Sequence, residues 1–190
     1  MITRARRSSP AACLLVALTA GLSACGSGGV EQTGTLAAPG QADGAYTYDE
    51  ALAPIGAEMT VNSTPAEGGT MVELTVSGFE PNREYGAHTH VNPCGETGDA
   101  AGAHFQNEQD PVKPSVDPAF ANPANEIWLD LTTDAEGAGS ATAEVRFGFA
   151  ERAPGSVVVH EMGTKTGPGE AGTAGGRLAC LTVAFEQTAG

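Results

Sequence analysis

The sequence is short of basic residues. Nine Lys and Arg residues face 23 Asp and Glu residues, a formal net charge of −14 over 190 residues. Three of the nine, Arg4, Arg6 and Arg7, lie in the first seven residues; without them six basic residues face 23 acidic ones, a net charge of −17. Charge of this sign repels nucleic acid and anionic lipid head groups, so we expect neither as a partner. We interpret most of the excess as solvated acidic surface.

The sequence also lacks any amphipathic helical pattern longer than two turns, and it has no internal repeat. From residue 45 onward it consists of short segments in which apolar and polar residues alternate, with turn residues between them, as in residues 70–76 and 126–133. Seven or eight such segments predict an all-β domain over residues 45–190. We expect an eight-stranded antiparallel Greek-key barrel or sandwich with long loops.

Only one long apolar run is present, and it lies near the N-terminus. Residues 11–20 follow the basic segment and are too few to span a bilayer, which indicates an export signal over residues 1–24. The signal ends in Leu22-Ser23-Ala24-Cys25, which resembles the lipobox of bacterial lipoproteins; the alternative is an ordinary secretory signal with an incidental cysteine. We predict lipidation of Cys25, a flexible tether over residues 25–44, and anchoring through the lipid to the outer face of a bacterial plasma membrane.

Cysteine is scarce, with four residues in the chain. Cys13 would leave with the signal and Cys25 would carry the lipid, so Cys94 and Cys180 remain as one pair in an oxidising compartment. We predict that they form a disulfide, the alternative being two buried free thiols. A bridge closing a loop of nearly ninety residues contributes about 4 kcal/mol in the chain-entropy treatment.

Three of the four histidines fall within residues 86–106. His88 and His90 are two residues apart, so a strand would place both rings on one face. His104 can return from a loop, and His160 ends an apolar run that predicts another strand. Imidazoles without a companion cysteine or methionine suit Cu(II) or Zn(II), so we predict a metal site; the alternative is a set of ordinary hydrogen-bonded polar residues.

Five short segments of the sequence resemble the copper-zinc superoxide dismutase family. They appear in the family's order between about residue 45 and residue 185, and five in register are far more specific than any one. They are Gly86-Ala87-His88-Thr89-His90, Cys94, Gly102-Ala103-His104-Phe105, Val158-Val159-His160-Glu161 and Gly176-Arg177-Leu178-Ala179-Cys180. The resemblance implies the same Greek-key fold.

The resemblance also implies roles for individual residues. His88, His90 and His160 match the family's permanent copper ligands. His104 matches the bridging histidine, a fourth copper ligand that is protonated when the metal is reduced. Arg177 matches the arginine that draws the superoxide anion toward the copper, so Arg177 and His104 are the expected catalytic residues.

The sequence departs from the family in two places. No histidine lies between His104 and His160, whereas the family's zinc site needs two more histidines and an aspartate there. The loop over residues 163–176 is also shorter than the family's charged guiding loop. Both departures resemble the copper-only bacterial lipoprotein branch, so we expect one copper per chain and no zinc. Glu126 or Asp117 would orient His104 as a neighbouring carboxylate.

The predicted function is copper-dependent dismutation of superoxide at the cell envelope. Arg177 and Lys165 would have to attract the anion locally, against the negative charge of the domain. One alternative is a copper-buffering lipoprotein with the same ligands and little turnover. Another is a structural or adhesive β-sandwich whose histidines are incidental, because a fold does not by itself define a function.

Overall fold

The computed structural model describes residues 28–186, which form nine β-strands and almost no helix. In chain order the strands are β1 (Val30–Thr35), β2 (Ala45–Thr47), β3 (Glu58–Ala66), β4 (Gly69–Ser77), β5 (Glu84–His90), β6 (Leu131–Thr132), β7 (Gly139–Val145), β8 (Ser156–His160) and β9 (Arg177–Thr182). A single 3₁₀ turn, Gly98–Ala101, lies in the long loop between β5 and β6.

The strands form two antiparallel sheets that share one core. The four-stranded sheet has the order β1-β3-β4-β7, and the five-stranded sheet has the order β2-β9-β8-β5-β6. The chain crosses between the sheets repeatedly, for example from β4 to β5 and from β7 to β8, as in Greek-key sandwiches. The predicted all-β fold is confirmed, and the ninth strand is β1, which lies before the predicted domain.

Alternation along the strands builds the core between the sheets. In β4, Val72, Leu74 and Val76 are fully buried while the residues between them face outward. In β5, Tyr85 and Ala87 point into the same core from the other sheet. The period of two that the sequence shows is therefore the period of burial, because one face of each sheet must be removed from water.

Two neighbouring inner strands of the five-stranded sheet, β8 and β5, are buried on both faces. All five residues of β8 are buried, as are the last six of β5. Val157 and Val159 face the core, whereas Val158 packs on the outer face with Cys180 and Ala101. The loop between β5 and β6 and the loop between β8 and β9 cover that outer face, so polar side chains placed there are removed from solvent.

Two sequence predictions about boundaries were wrong, one at the start of the domain and one in the strand predicted over residues 126–133. Residues 30–35, predicted to be tether, form β1 and pair with β3 along six residues, Val30 opposite Ser63 through Thr35 opposite Glu58. The mainly polar Val30–Thr35 segment is half-exposed at an edge, so it lacks the buried alternation that marks the other strands. The structured domain therefore begins some fifteen residues earlier than residue 45.

The predicted strand over residues 126–133 is regular only at β6, although its alternation holds. Ile127, Leu129 and Leu131 are buried, and Asp130 between them is exposed. Trp128 forms an isolated bridge to His88. Within residues 28–186 no helix is long and apolar enough to cross a membrane. The predicted signal and Cys25 lie outside the described residues.

The predicted disulfide is confirmed. Cys94 and Cys180 are bonded across a sequence separation of 86 residues, with their Cα atoms 5.8 Å apart. The amide of Cys94 also donates a hydrogen bond to Thr182 Oγ1 at 3.0 Å. The bridge therefore attaches the start of the long loop to β9, beside the outer face of the sheet.

We predict that the double substitution Cys94→Ala and Cys180→Ala lowers the free energy of unfolding of the metal-free protein by about 4 kcal/mol, because the unfolded chain regains the entropy of an 86-residue loop. Urea unfolding followed by tryptophan fluorescence measures the change. The control is the unsubstituted protein with its disulfide reduced, which should unfold at the same urea concentration as the variant. An unchanged unfolding midpoint in both would contradict the prediction.

Candidate metal centre

Two adjacent strands bring three of the four histidines together on the outer face of the sheet. His88 and His90 lie two residues apart on β5, so their rings share a face. His160 ends β8 and is paired with Gly86, diagonally across from His88. The pairing of β8 with β9 shifts register between Val159 and His160, which ends the regular ladder where the third ring is presented.

Gly86 makes room for the loop that closes over the rings. A Cβ atom built on Gly86 would lie 2.6 Å from Met162 O and 2.7 Å from the Cβ of Ala174. The amide of Gly86 donates to that same Met162 carbonyl at 2.8 Å. Glycine is therefore required here by close backbone approach of the loop after β8.

His104 reaches the site because its segment runs beside β5. It forms an isolated antiparallel bridge with His90, and hydrogen bonds from Val91 N to Ala103 O and from Phe105 N to Thr89 O flank that bridge. The ring of His104 thereby lies over those of the strand residues. Its centroid is 4.1 Å from that of His88 and 4.8 Å from that of His90.

The four imidazoles converge on one point. Each offers one ring nitrogen, and these four atoms all lie within 4.8 Å of one another. The Nε2 atoms of His90 and His160 face each other at 3.3 Å. Within residues 28–186 this is the one group of three or more His, Cys, Asp or Glu side chains that could hold a metal ion. The structure thus brings all four predicted ligands together.

Burial keeps three of the four rings uncharged and their lone pairs available. His88, His90 and His160 are almost fully buried, while the side chain of His104 is 17% exposed. Burial lowers the pKa of His88 and of His90 well below the usual value for histidine, and the neighbouring ring of His104 adds to the effect. The same causes lower the pKa of His160 to about 3. A neutral imidazole is the form that binds a metal.

Hydrogen bonds to the second nitrogen fix two of the rings. The Nδ1 atom of His90 lies 3.0 Å from the carbonyl oxygen of Gly102, to which it can only donate. The Nδ1 atom of His104 lies 2.8 Å from Glu126 Oε2. In both rings the proton is therefore on Nδ1, and Nε2 presents its lone pair to the cluster.

Glu126 is a buried carboxylate that accepts hydrogen bonds from three nitrogen donors. It is 1% exposed. Its Oε2 accepts from Trp128 Nε1 at 2.7 Å as well as from His104, and its Oε1 accepts from Gln106 Nε2 at 2.8 Å. Of the two carboxylates proposed from the sequence, Glu126 contacts His104. Asp117 instead accepts the amide of Ala119 within its own turn, at 2.9 Å.

Arg177 connects the site to the disulfide loop. Its Nη1 donates to Gly98 O and its Nη2 to Gly102 O, both at 2.7 Å. Gly102 O is the same carbonyl that receives the Nδ1 proton of His90. Partial burial lowers the pKa of Arg177, yet arginine remains protonated at physiological pH. The guanidinium thus fixes the loop and places a positive charge beside the histidines.

A cavity of about 550 Å³ opens at the cluster, and its lining shows which side chains a ligand would meet. His104, His160 and Arg177 line it, together with Lys113 and loop residues such as Ala174. Lys165, expected from the sequence to assist Arg177, is not in this lining; it forms an ion pair with Glu170 at 3.0 Å. Sequence reasoning missed Lys113, because proximity along the chain to His160 favoured Lys165.

The residues present fit a transition metal. Two ligand atoms bonded at about 2.0 Å to one ion can lie no more than about 4 Å apart. The four ring nitrogens lie within 4.8 Å of one another, so the cluster would have to contract only slightly to hold one ion. The Nδ1 atom of His88 is buried and has no hydrogen-bond partner among the described residues, as expected of an atom that serves as a ligand. Imidazoles alone suit copper and zinc equally well.

Comparison with solved structures identifies the fold. A Cu/Zn superoxide dismutase from Brucella abortus is 25% identical, with a TM-score of 0.53, over 80% of this chain and 99% of that one. A double mutant of a SOD-like protein from Bacillus subtilis is 15% identical, with a TM-score of 0.50, over 67% of this chain and 88% of that one. A single mutant of the same protein is 14% identical, with a TM-score of 0.51, over 67% of this chain and 90% of that one. No family model matches the sequence. No curated protein matches it either.

The class of protein follows from the fold and the cluster together. The chain has a superoxide dismutase-like fold, and it carries four histidines arranged to bind one metal ion. The similarity to the Bacillus protein concerns the fold alone.

We predict that Glu126→Gln weakens binding of Cu(II) and of Zn(II) by roughly 10- to 100-fold, because the carboxylate that orients His104 loses its charge. Asp117→Asn removes the same charge from the same loop without touching a histidine, so it should bind both metals as the unsubstituted protein does. Competition with a chelator of known affinity measures both variants. Equal affinities for the two variants would show that Glu126 has no such role.

Proposed function

We propose that this chain is a copper-dependent superoxide dismutase, which converts two superoxide anions and two protons to dioxygen and hydrogen peroxide. The observation that carries the proposal is the convergence of four imidazoles on one point, beside a cavity that His104, His160 and Arg177 line. The similarity to a Cu/Zn superoxide dismutase over 80% of the chain supports it.

His88, His90, His104 and His160 would hold the copper. Bound there, copper supplies one-electron chemistry by alternating between its two common oxidation states. Burial keeps His88, His90 and His160 neutral, so these rings would hold the ion without adding charge of their own, and the site would keep an attraction for an anion.

Arg177 would position the substrate. Its guanidinium carries a fixed positive charge and is held rigidly by the carbonyl oxygens of Gly98 and Gly102. A charge held in place needs no rearrangement to stabilise an incoming anion. Lys113, which lines the same cavity, adds a second positive charge; its Nζ lies 3.5 Å from Gln106 Oε1.

His104 would hold the proton that the reaction needs. It is the most exposed ring of the four, and it lines the cavity. Its Nδ1 is hydrogen-bonded to Glu126 at 2.8 Å, so Nε2, the nitrogen that would hold the metal, is the one that can take up a proton, and it can do so only when it has released the ion. The carboxylate of Glu126 would then stabilise the resulting imidazolium, in a geometry that needs no movement of either residue.

The proposal includes export and anchoring through Cys25 to the outer face of a bacterial plasma membrane. Because β1 begins at Val30, only residues 26–29 would separate a lipidated Cys25 from the folded domain. Five Cα-to-Cα steps span at most roughly 18 Å, so the domain would lie close to the membrane surface rather than on a long tether. The partners would then be superoxide and the membrane.

The second candidate is a copper-buffering protein with little turnover. One observation favours it: the positive charges near the site already have partners. Both terminal nitrogens of Arg177 donate to backbone carbonyl oxygens, and Lys165 is paired with Glu170. Copper affinity alone does not separate the two functions. The turnover of superoxide per bound copper does.

We expect the copper-loaded protein to remove superoxide far faster than an equal amount of free copper, and Arg177→Ala to lower this rate several-fold with copper retained. Removing the guanidinium removes the local charge that attracts the anion. Arg146→Ala is the matched control, since it removes the same charge from an exposed position just after β7. Stopped-flow decay of superoxide gives the rates.

A rate no higher than that of free copper would contradict the dismutase and favour copper buffering. Equal losses in the Arg177 and Arg146 variants would show that net charge, and not the placed guanidinium, controls the rate. Arg177→Lys should fall between the unsubstituted protein and Arg177→Ala, because it keeps the charge and loses one of the two carbonyl contacts.

A further inference from the structure

The cavity beside the four histidines is much larger than a diatomic anion needs. Its volume is about 550 Å³. A water molecule has a share of about 30 Å³ in the liquid, so an anion of two oxygen atoms takes up roughly 60 Å³. Cavities that bind small organic molecules measure about 300–1,000 Å³. The cavity is therefore large enough for an organic ligand.

Two loops form the walls of this cavity, and each contributes apolar side chains. Pro114 and Val116 lie on the loop between β5 and β6, whereas Ala174 lies on the loop between β8 and β9. The amide of Gly169 donates to Val116 O at 3.1 Å, which attaches one loop to the other. A ligand with an apolar body would gain free energy by leaving water for these walls.

Glycine keeps the wall on the side of the loop after β8 free of side chains. A Cβ atom built on Gly172 would lie 3.2 Å from the Cβ of Ala121 and 3.7 Å from His104 Nδ1. Gly172 and Gly175 both have a φ of +78°, which residues with a side chain rarely adopt. Both glycines line the cavity. Bare backbone at these positions leaves a flat surface, against which a planar ligand can pack closely.

The lining of the cavity is positively charged, although the chain as a whole is acidic. Lys113 and Arg177 line it, and Glu126 is the one carboxylate among the described residues that do so. Glu126 is buried and already accepts hydrogen bonds from three nitrogen donors. Two cations against one carboxylate leave a positive charge, which a ligand with one negative charge would neutralise.

Lys113 supplies donors that are free to bind such a ligand. Its side chain is exposed, and its Nζ makes one hydrogen-bond contact among residues 28–186, a long one of 3.5 Å to Gln106 Oε1. That oxygen also accepts the amide of Asp110, at 3.0 Å. An ammonium group has three donors, so at least two are available at Lys113. Both terminal nitrogens of Arg177, in contrast, donate to backbone carbonyl oxygens.

We propose that this cavity binds a small aromatic monocarboxylate, with its carboxylate on Lys113 and its ring between Val116 and Ala174. Size, apolar walls and positive charge together define this class of ligand. A ligand in this position would cover His104 and His160, which line the same cavity. It would therefore exclude superoxide from the metal, a consequence that rests on the proposed function, whereas the binding itself does not.

Benzoate is the probe, and the metal-free protein is titrated with it by NMR of the backbone amides. We expect the amide signals of lining residues such as Val116 and Ala174 to shift. Acetate keeps the charge and lacks the ring, and benzamide keeps the ring and lacks the charge, so we expect each to bind at least roughly tenfold more weakly than benzoate. Equal affinities for benzoate and acetate, or shifts confined to residues outside the cavity, would overturn the proposal.

The role of Lys113 is tested separately. We expect Lys113→Gln to weaken benzoate binding roughly fivefold or more and to leave benzamide binding unchanged, because only the charged ligand loses a partner. Lys165→Gln is the matched control, since Lys165 is outside the lining and is paired with Glu170 at 3.0 Å. Both lysines are exposed, so neither substitution disturbs the core. Equal losses in the two variants would overturn the proposal.

The outcomes for the binding site and for the dismutase are separable, because the titrations use metal-free protein and no superoxide. Benzoate bound in the cavity of a protein that does not remove superoxide would support the binding site and contradict the dismutase. Rapid removal of superoxide by a protein that does not bind benzoate would do the reverse. Where both hold, benzoate should inhibit the copper-loaded protein at concentrations at which acetate does not.

Discussion

The structure depends on one constraint: β5 and β8 are buried on both faces, and the second face carries histidines. The inner face is covered by the other sheet in the ordinary way. The outer face is covered by loops, and those loops must satisfy the ring nitrogens of His90 and His104 as well as exclude water. Covering the sheet and orienting the imidazoles are therefore the same structural task.

The long loop between β5 and β6 meets this task with a continuous set of hydrogen bonds. Gln106 links Glu126 to Ser115 at 2.9 Å, and Ser115 donates to Asp110 at 2.7 Å. The amide of Val112 and the hydroxyl of Ser115 hold the pKa of Asp110 below its usual range. From outside, Arg152 packs over the ring of Phe105 and donates to Gln106 O. His104 is thus the inner end of a hydrogen-bond network that reaches the surface.

The disulfide and Arg177 act on the opposite side of the cluster. Cys94 is bonded to Cys180 on β9, and Arg177, at the start of that strand, holds the carbonyl oxygens of the intervening turn. One of those oxygens, on Gly102, also fixes His90. The residue proposed to attract the substrate therefore contacts the same carbonyl oxygen that positions a ligand.

Much of this was predictable from local sequence pattern. The spacing of His88 and His90 on a strand and the pairing of the two remaining cysteines were predicted correctly. For the carboxylate partner of His104 the sequence left two candidates, Glu126 and Asp117, and the structure selects Glu126. The edge strand β1 was not predicted, because its side chains are half-exposed and do not show the buried alternation of the other strands. The contact between Thr164 and Asp130 was not predictable, because the two residues are 34 positions apart and only the folded loops bring them together. The position of Lys113 in the cavity lining was not predictable for the same reason.

The central claim is that four imidazoles bind one ion. X-ray absorption of the copper-loaded protein after dialysis, combined with metal analysis, tests it most directly. The account predicts one copper per chain, surrounded by four imidazole nitrogens at about 2.0 Å. Copper in lower and variable amount, or a first shell of oxygen with fewer than three imidazoles, would contradict it.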